Sequence, residues 1–413
     1  MVLPDLKSSS PLSSTSQIAP PSFTALAFML AALAMLGPFS VDTYLPAFPQ
    51  IERGLHATSI EVQQTLTAYM FAFSIMVLWH GPLSDAFGRR KIILSGLVVF
   101  AIASVGCAMA PSVEFLWFFR ILQGLSSGAG TVVGRAIVRD MYEGAPATRL
   151  MSLTTMIFSI APAIAPIIGG AIISVADWHT IFVVLFVYTL LLLAYCYRYL
   201  PESLPLSQRQ PFYPRLVAAS LAEIFRSPMF YLRAGVIALN FSGFFLYVAS
   251  APVFIVRHLH LGPHQFAWLF IPAVCGMFLG SLIANRLAGK MAVNTQVHIG
   301  FACMLVAATF NYVYHMQYAA SIPWSVMPLL LFTTGSAIIA PSVTLMVLDM
   351  FPHIRGTAAS CQSFLLTMLA SIIAGLLAPL LSDSVLHLAI GQLSMTLLSL
   401  LLWKIAIKPK PRR

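Results

Sequence analysis

Nineteen consecutive residues, Phe23 to Val41, carry no charged side chain, and runs of that kind recur along the whole chain. Apolar stretches lie at about 23–48, 59–81, 91–110, 113–138, 147–175, 178–200, 230–256, 264–286, 296–316, 323–349, 356–381 and 384–407. A helix of about 20 residues crosses the ~30 Å hydrocarbon core of a bilayer. Only 9% of the 413 residues are Asp, Glu, Lys or Arg, against roughly a quarter in a soluble domain. The fold class that follows is an all-α polytopic membrane protein with twelve transmembrane helices, partnered by the lipid bilayer.

The charges orient those spans. Connections after the second, fourth, sixth, eighth and tenth hold Arg89, Arg90, Lys91, Arg139, Arg149, Arg209, Arg215, Arg226, Arg286, Lys290 and Arg355. The other connections hold only Arg53 and Arg257. By the positive-inside rule both termini are expected in the cytoplasm. The net charge of +10 is therefore spread over loops and forms no patch for nucleic acid. All five cysteines lie in apolar runs, without a CxxC pair or a histidine at ligand spacing, so no metal site is expected. Residues 1–22 are Ser/Pro-rich with one lysine and read as a short disordered cytoplasmic tail, not as a cleaved signal. Residues 408–413 read as a basic cytoplasmic tail.

The longest connection, 201–229, contains "PESLPLSQRQPFYPR" and has the composition of a linker. On either side the chain echoes itself, with "IAPAIAP" (Ile160 to Pro166) against "IAGLLAP" (Ile373 to Pro379). Two pseudo-symmetric six-helix bundles, 23–200 and 230–407, are the expected organisation.

Four stretches carry chemistry. "LGPFSVDTYLPAF" (Leu36 to Phe48) places Asp42 between two prolines inside the first span. "FFRILQGLSSGAG" (Phe118 to Gly130) places Arg120 inside the fourth, with Gln123 one turn on along the same face. Counted from the nearer helix ends, Asp42 and Arg120 both lie about 12 Å deep, a shared depth that allows contact between them where their helices line one cavity. Burial and a neighbouring arginine pull a carboxyl's proton affinity in opposite directions, which poises it to exchange a proton near neutral pH. In "GPLSDAFGRRK" (Gly81 to Lys91), Gly81 and Gly88 suit a tight turn. There Asp85 can pair with Arg89 or Arg90 as a latch made in one conformation and released in the other. In "APAIAPIIGGA" (Ala161 to Ala171), Pro166, Gly169 and Gly170 suit a kinked, closely packed helix. Tyr69 on the second span and Asn240, Ser242 and Tyr247 on the seventh are the polar candidates for a substrate cavity.

The 81–91 stretch resembles the signature loop of the major facilitator superfamily, G-x-x-x-D-(R/K)-x-G-R-(R/K), and departs from it at Ala86. The fourth span resembles that superfamily's R-x-x-Q-G motif. The fifth resembles the antiporter motif G-x-x-x-G-P-x-x-G-G, with Ala161 and Ala165 in place of the first two glycines. "SVDTYLPAFPQI" (Ser40 to Ile51) and "VLDMFPHIRGTAAS" (Val347 to Ser360) resemble the bicyclomycin-resistance (Bcr/CflA) branch of the drug–proton antiporters.

The resemblance implies proton-driven export of small amphipathic drugs or toxic compounds across the bacterial inner membrane by alternating access. It gives Arg120 and Gln123 a part in proton coupling, beside Asp42. It also implies a monomer that needs no cofactor beyond the proton gradient and catalyses no reaction. Export of one physiological solute, such as a siderophore, nucleoside or amino acid, and proton-coupled uptake are the alternatives within the same fold. A channel would show charge rings or filter repeats, and an ATP-driven pump a P-loop; the sequence has neither. Should Asp42 not carry the proton, Asp349 near the end of the tenth span is the next candidate.

Overall fold

The computed structural model describes residues 22–209, 211–287 and 290–407; most of the two expected terminal tails lies outside them. In a bilayer the backbone must satisfy its own hydrogen bonds, which leaves helices for an open chain. Among the described residues, eleven spans are long and apolar enough to cross. They are α1 (Phe23–Gly54), α2 (Ser59–Phe87), α3 (Arg89–Ala108), α5 (Gly144–Val175), α6 (His179–Tyr199), α7 (Pro228–Ala249), α8 (Pro263–Leu287), α9 (Val293–Gln317), α10 (Met327–Leu348), α11 (Arg355–Leu381) and α12 (Val385–Ala406). The twelfth helix, α4 (Val113–Met141), is as long as α2 but carries Glu114, Arg120, Arg135 and Arg139, which lower its hydropathy.

Local sequence sets the boundaries. A capping box opens α2: Thr58 Oγ1 accepts from the Glu61 amide at 3.3 Å, and the Glu61 carboxylate accepts from the Thr58 amide at 2.7 Å. Ser112 caps α4 in the same sense. The first span is not one regular helix. Its α-helical hydrogen bonding ends at Asp42, passes through a single 3-10 turn at Leu45–Ala47 and resumes at Phe48–Gly54. Pro46 and Pro49 lack the amides that would carry the ladder through. The 201–229 connection is not irregular throughout either. It holds a helix at Pro214–Phe225, whose Ile224 packs with Phe230, Val347, Phe351 and Cys361.

Packing repeats between the halves. In the first, α2 packs on α4, and α3 packs on α4 and α6; in the second, α8 packs on α10, and α9 packs on α10 and α12. This is the pseudo-symmetric pair of six-helix bundles. The outer surface is apolar, with Leu191, Phe278, Val306 and Leu401 all exposed, as a surface solvated by lipid requires.

The two ends of the molecule differ. Gly88, Arg89, Arg139, Arg209 and Arg355 lie at one end, called here the basic face. At the opposite end the halves are clasped. Gln63 Nε2 donates to the Ala374 carbonyl at 3.1 Å, Gln64 Nε2 to the Gly375 carbonyl at 2.9 Å, and Ser371 Oγ to the Thr67 carbonyl at 3.2 Å. The acceptors at 374 and 375 belong to a π-helical stretch of α11, Ile373–Leu377, where the widened turn disturbs the regular ladder. Toward the basic face a cavity of ≈ 380 Å³ lies between α2, α4 and the start of α11.

Candidate functional site

Arg120 is 0% exposed, the most deeply buried charged side chain among the described residues. One nitrogen, Nη1, donates to the Ser40 carbonyl at 3.1 Å, to Ser40 Oγ at 2.9 Å and to Gln123 Oε1 at 2.9 Å. The guanidinium lies 4.7 Å from the Tyr44 ring centroid and 4.4 Å from that of Tyr69, positions where a desolvated cation gains from the π faces. The surrounding shell is fixed in turn. Gln123 Nε2 donates to Ser104 Oγ at 2.9 Å, the Tyr69 hydroxyl donates to Ser127 Oγ at 2.8 Å, and the Tyr44 and Thr65 hydroxyls bond at 2.7 Å. Helices α1 to α4 thus converge on one cation.

Asp42 is buried, at 6% exposure, and close to this cluster along α1. The contact with Arg120 that their shared depth allows is not made: among the described residues Arg120 has no ion pair, and the Asp42 carboxylate has no hydrogen bond. The reason is rotational. Residues two apart on a helix point about 200° apart, so an α1 turned to present Ser40 to α4 turns Asp42 away. Arg120 Nε and Nη2 are buried without a hydrogen-bond acceptor. The acid and the unspent donors sit on neighbouring positions, unjoined in this conformation.

The glycine pair of α5 secures the bend just after Asp42. A Cβ at Gly169 would collide with the Thr43 carbonyl, and a Cβ at Gly170 with the Pro263 carbonyl of the other half. One glycine therefore admits the backbone beside Asp42, and the next admits the partner bundle. Pro166 is buried within α5 one turn earlier.

At the basic face the 81–91 stretch is mostly helical, because α2 continues to Phe87 and α3 starts at Arg89. The turn is Gly88 alone, with φ +100°, a conformation side chains resist. Gly81 makes no close backbone approach, its nearest neighbour being Val132 Cγ1 at 4.0 Å. Asp85 pairs with Arg89, as expected, and Arg89 Nε also donates to Asp140 at 2.9 Å. Glu202 accepts from the Arg89 amide at 2.9 Å and pairs with Arg209 at 3.1 Å. Arg90 lies over the Tyr197 ring at 5.5 Å, outside this network.

Residues 29–375 match the family model of the Major Facilitator Superfamily. The chain belongs to that superfamily. Among relatives, it is 32% identical over 355 residues to the "Uncharacterized MFS-type transporter YdgK" of Bacillus subtilis, covering 85% of this chain and 88% of that one. It is 27% identical to the "Bicyclomycin resistance protein homolog" of Haemophilus influenzae, over 86% and 89% of the two chains. It is 26% identical to "Multidrug resistance protein D" of Escherichia coli, over 92% and 94%. Among solved structures, a D-xylose-proton symporter superposes with a TM-score of 0.69 at 16% identity, over 93% and 98% of the chains. A POT family transporter in complex with a thioalcohol conjugated peptide superposes with 0.73 at 13%, over 92% and 96%. Identities that low speak to the fold only. This facilitator is a multi-pass membrane transporter of small molecules, not an enzyme.

Its four expected cavity residues divide. Tyr69 belongs to the arginine cluster. Tyr247 is turned inside the second bundle, where Asn311 Nδ2 donates to its hydroxyl at 2.6 Å and also reaches Gln392 Oε1 at 3.2 Å; it is a packing residue. Asn240 and Ser242 are buried too, and their side-chain polar atoms have no hydrogen-bond partner among the described residues. Asp349 is exposed and pairs with Arg355 at 2.9 Å. Sequence reading missed Ser40, Tyr44 and Ser104 around Arg120, and Asp140 and Glu202 around Arg89. Only the last two left a signal, as acids in a face otherwise crowded with arginines.

Proposed function

We propose that this facilitator is a proton-driven exporter of small amphipathic compounds across the bacterial inner membrane, with Asp42 as the proton-exchanging group. The observation that carries the reading is Asp42 itself: a buried acid without a hydrogen bond, next to the helix break and to Gly169, beside an arginine with two unspent donors. An ionised and a protonated carboxyl favour different surroundings in such a place, so a proton gained or lost biases which arrangement of α1 is stable. The segment after the break, Leu45–Gly54, runs to the clasped end, so a change at Asp42 is felt where the halves meet. The basic face is taken as cytoplasmic by the positive-inside rule, and the conformation described is then the one that loads from the cytoplasm. Each inward proton supplies ~2.3 kcal/mol per 100 mV, besides the pH gradient. The relatives named for multidrug and bicyclomycin resistance support export of drugs, and Arg120 and Gln123 hold the frame within which Asp42 switches.

Purified protein in detergent tests the reading. Chloramphenicol or another exported compound should release protons from the wild-type chain on binding. Asp42→Asn should abolish that release and the gradient-driven export, with the thermal unfolding profile retained. Proton release that survives in Asp42→Asn overturns the assignment and moves attention to Asp349.

A further inference from the structure

Helix α4 carries a second embedded arginine. Arg135 lies 15 residues beyond Arg120, about 22 Å further along the axis and about 9 Å inside the basic end of the helix. The two differ in what holds them. Arg120 is buried and hydrogen-bonded, whereas Arg135 is exposed and, among the described residues, has no ion pair and no hydrogen bond. Arg139, one turn on, is in the same condition. The nearby acids are already taken, since Asp85 and Asp140 both bond Arg89.

Arg135 is also the charged residue shared by two cavities. One is the ≈ 380 Å³ space between α2, α4 and α11. The other is a ≈ 140 Å³ niche between α1, α4 and α5, with apolar walls of Leu30, Ala34, Val138, Met151 and Phe158. Thr131, Thr154 and Thr155 add hydroxyls to that niche. Thr154 spends its hydroxyl on the Leu150 carbonyl at 2.9 Å; those of Thr131 and Thr155 make no hydrogen bond among the described residues. A dry space of about 150 Å³ accepts a benzene-sized body, and a guanidinium beside it offers a fork for a carboxylate. An ionisable side chain within a membrane span is by default a candidate for a substrate or ion path.

We infer that Arg135 and the niche beside it form a loading site selective for amphipathic anions, with the aryl or alkyl body in the niche and a carboxylate on the guanidinium. This rests on the exporter reading and deepens it by naming a substrate class. Arg135 lies about 22 Å along α4 from Arg120, the residue of that helix nearest the Asp42 region, far beyond hydrogen-bond reach. Substrate charge and proton are therefore handled at separate stations, on α4 and on α1, and their coupling runs through the change of conformation.

The test compares three ligands with one body: 4-phenylbutyrate, 4-phenylbutanol and 4-phenylbutylamine. Equilibrium binding to the detergent-purified full chain needs no gradient. The wild-type chain should bind the carboxylate roughly tenfold or more tightly than the amine, the scale of one charge-assisted hydrogen bond. Arg135→Gln should abolish that preference with the alcohol unaffected, Arg135→Lys should restore part of it, and Arg139→Gln should leave it. The Asp42→Asn variant should keep the full preference, which separates failure of this site from failure of the proton assignment. Equal binding of carboxylate and amine by the wild-type chain, or a preference that survives Arg135→Gln, overturns the inference.

Discussion

Alanine at Gly169 puts the backbone packing beside Asp42 to the test. The new Cβ would stand 2.9 Å from Thr43 Cα and 2.8 Å from its carbonyl carbon, with the carbonyl oxygen closer still. All three are backbone atoms, and the Thr43 amide is itself held by the Phe39 carbonyl at 3.2 Å. No side chain can rotate away, so α1 or α5 must shift. Overpacking of this kind costs about 3 kcal/mol at the upper end of its range. Alanine returns ~1 kcal/mol through helix propensity, leaving a loss of about 2 kcal/mol. Gly134 on α4 supplies the control, because its nearest neighbour is Leu30 Cδ2 at 3.5 Å, an ordinary contact. Gly134→Ala should gain the propensity without the clash, by about 1 kcal/mol. In thermal unfolding followed by tryptophan fluorescence in detergent, a six-helix half should respond by roughly 2–4 °C per kcal/mol. Gly169→Ala should then melt about 4–8 °C below the wild type, and Gly134→Ala at or above it. Parallel shifts of the two variants, or a Gly169→Ala protein as stable as the wild type, would refute the reasoning.

At the α2–α3 turn, Gly88→Ala must hold φ near +100° and push a methyl into Glu202 and Arg209; the expected loss is about 2 kcal/mol, read as a lowered midpoint in the same melt. Asp85→Asn removes one partner of Arg89, far from the Arg120 cluster. It should slow turnover in proteoliposomes more than it weakens equilibrium drug binding, and equal losses in both would contradict a role in the conformational switch. A cysteine replacing the exposed Ser207 should resist impermeant maleimide in intact cells and react in inverted vesicles; labelling from outside reverses the proposed orientation.

The spans were legible because hydrocarbon imposes one rule on every residue, and an apolar run of the right length satisfies it. Gly88 and the Asp85–Arg89 pair were legible because their partners are four residues apart or fewer. The Arg120 cluster was legible only at its centre. An arginine in an apolar run announces itself, but Ser40, Ser104 and Tyr44 are ordinary residues on other helices, and nothing in a single sequence joins them. Depth along the axis was read well enough to bring Asp42 near Arg120, yet depth says nothing of rotation, and rotation gave Ser40 the contact. Tyr247 failed for the same reason: a tyrosine faces a cavity only if its helix is turned that way, and this one bonds Asn311 inside the second bundle. The break after Asp42 was not anticipated, although Pro46 and Pro49 spell it; the π-helical stretch of α11 has no comparable spelling.

That stretch bears on how the transporter can diverge. Two of the three clasp bonds take their donors from α2 side chains, Gln63 and Gln64, and their acceptors from the main chain at 374 and 375; the third takes its donor from Ser371 of α11. A carbonyl is present whatever residue carries it, so inheritance of the clasp fixes identity at Gln63 and Gln64 of α2 and at Ser371 of α11, and constrains the 374–375 positions mainly by bulk, Thr67 leaving Gly375 little room. A lineage adapting to a new toxin can therefore explore substitutions along α11 while the closure of the opposite end survives. The cost of that freedom falls on two glutamines and one serine, where drift should be scarce.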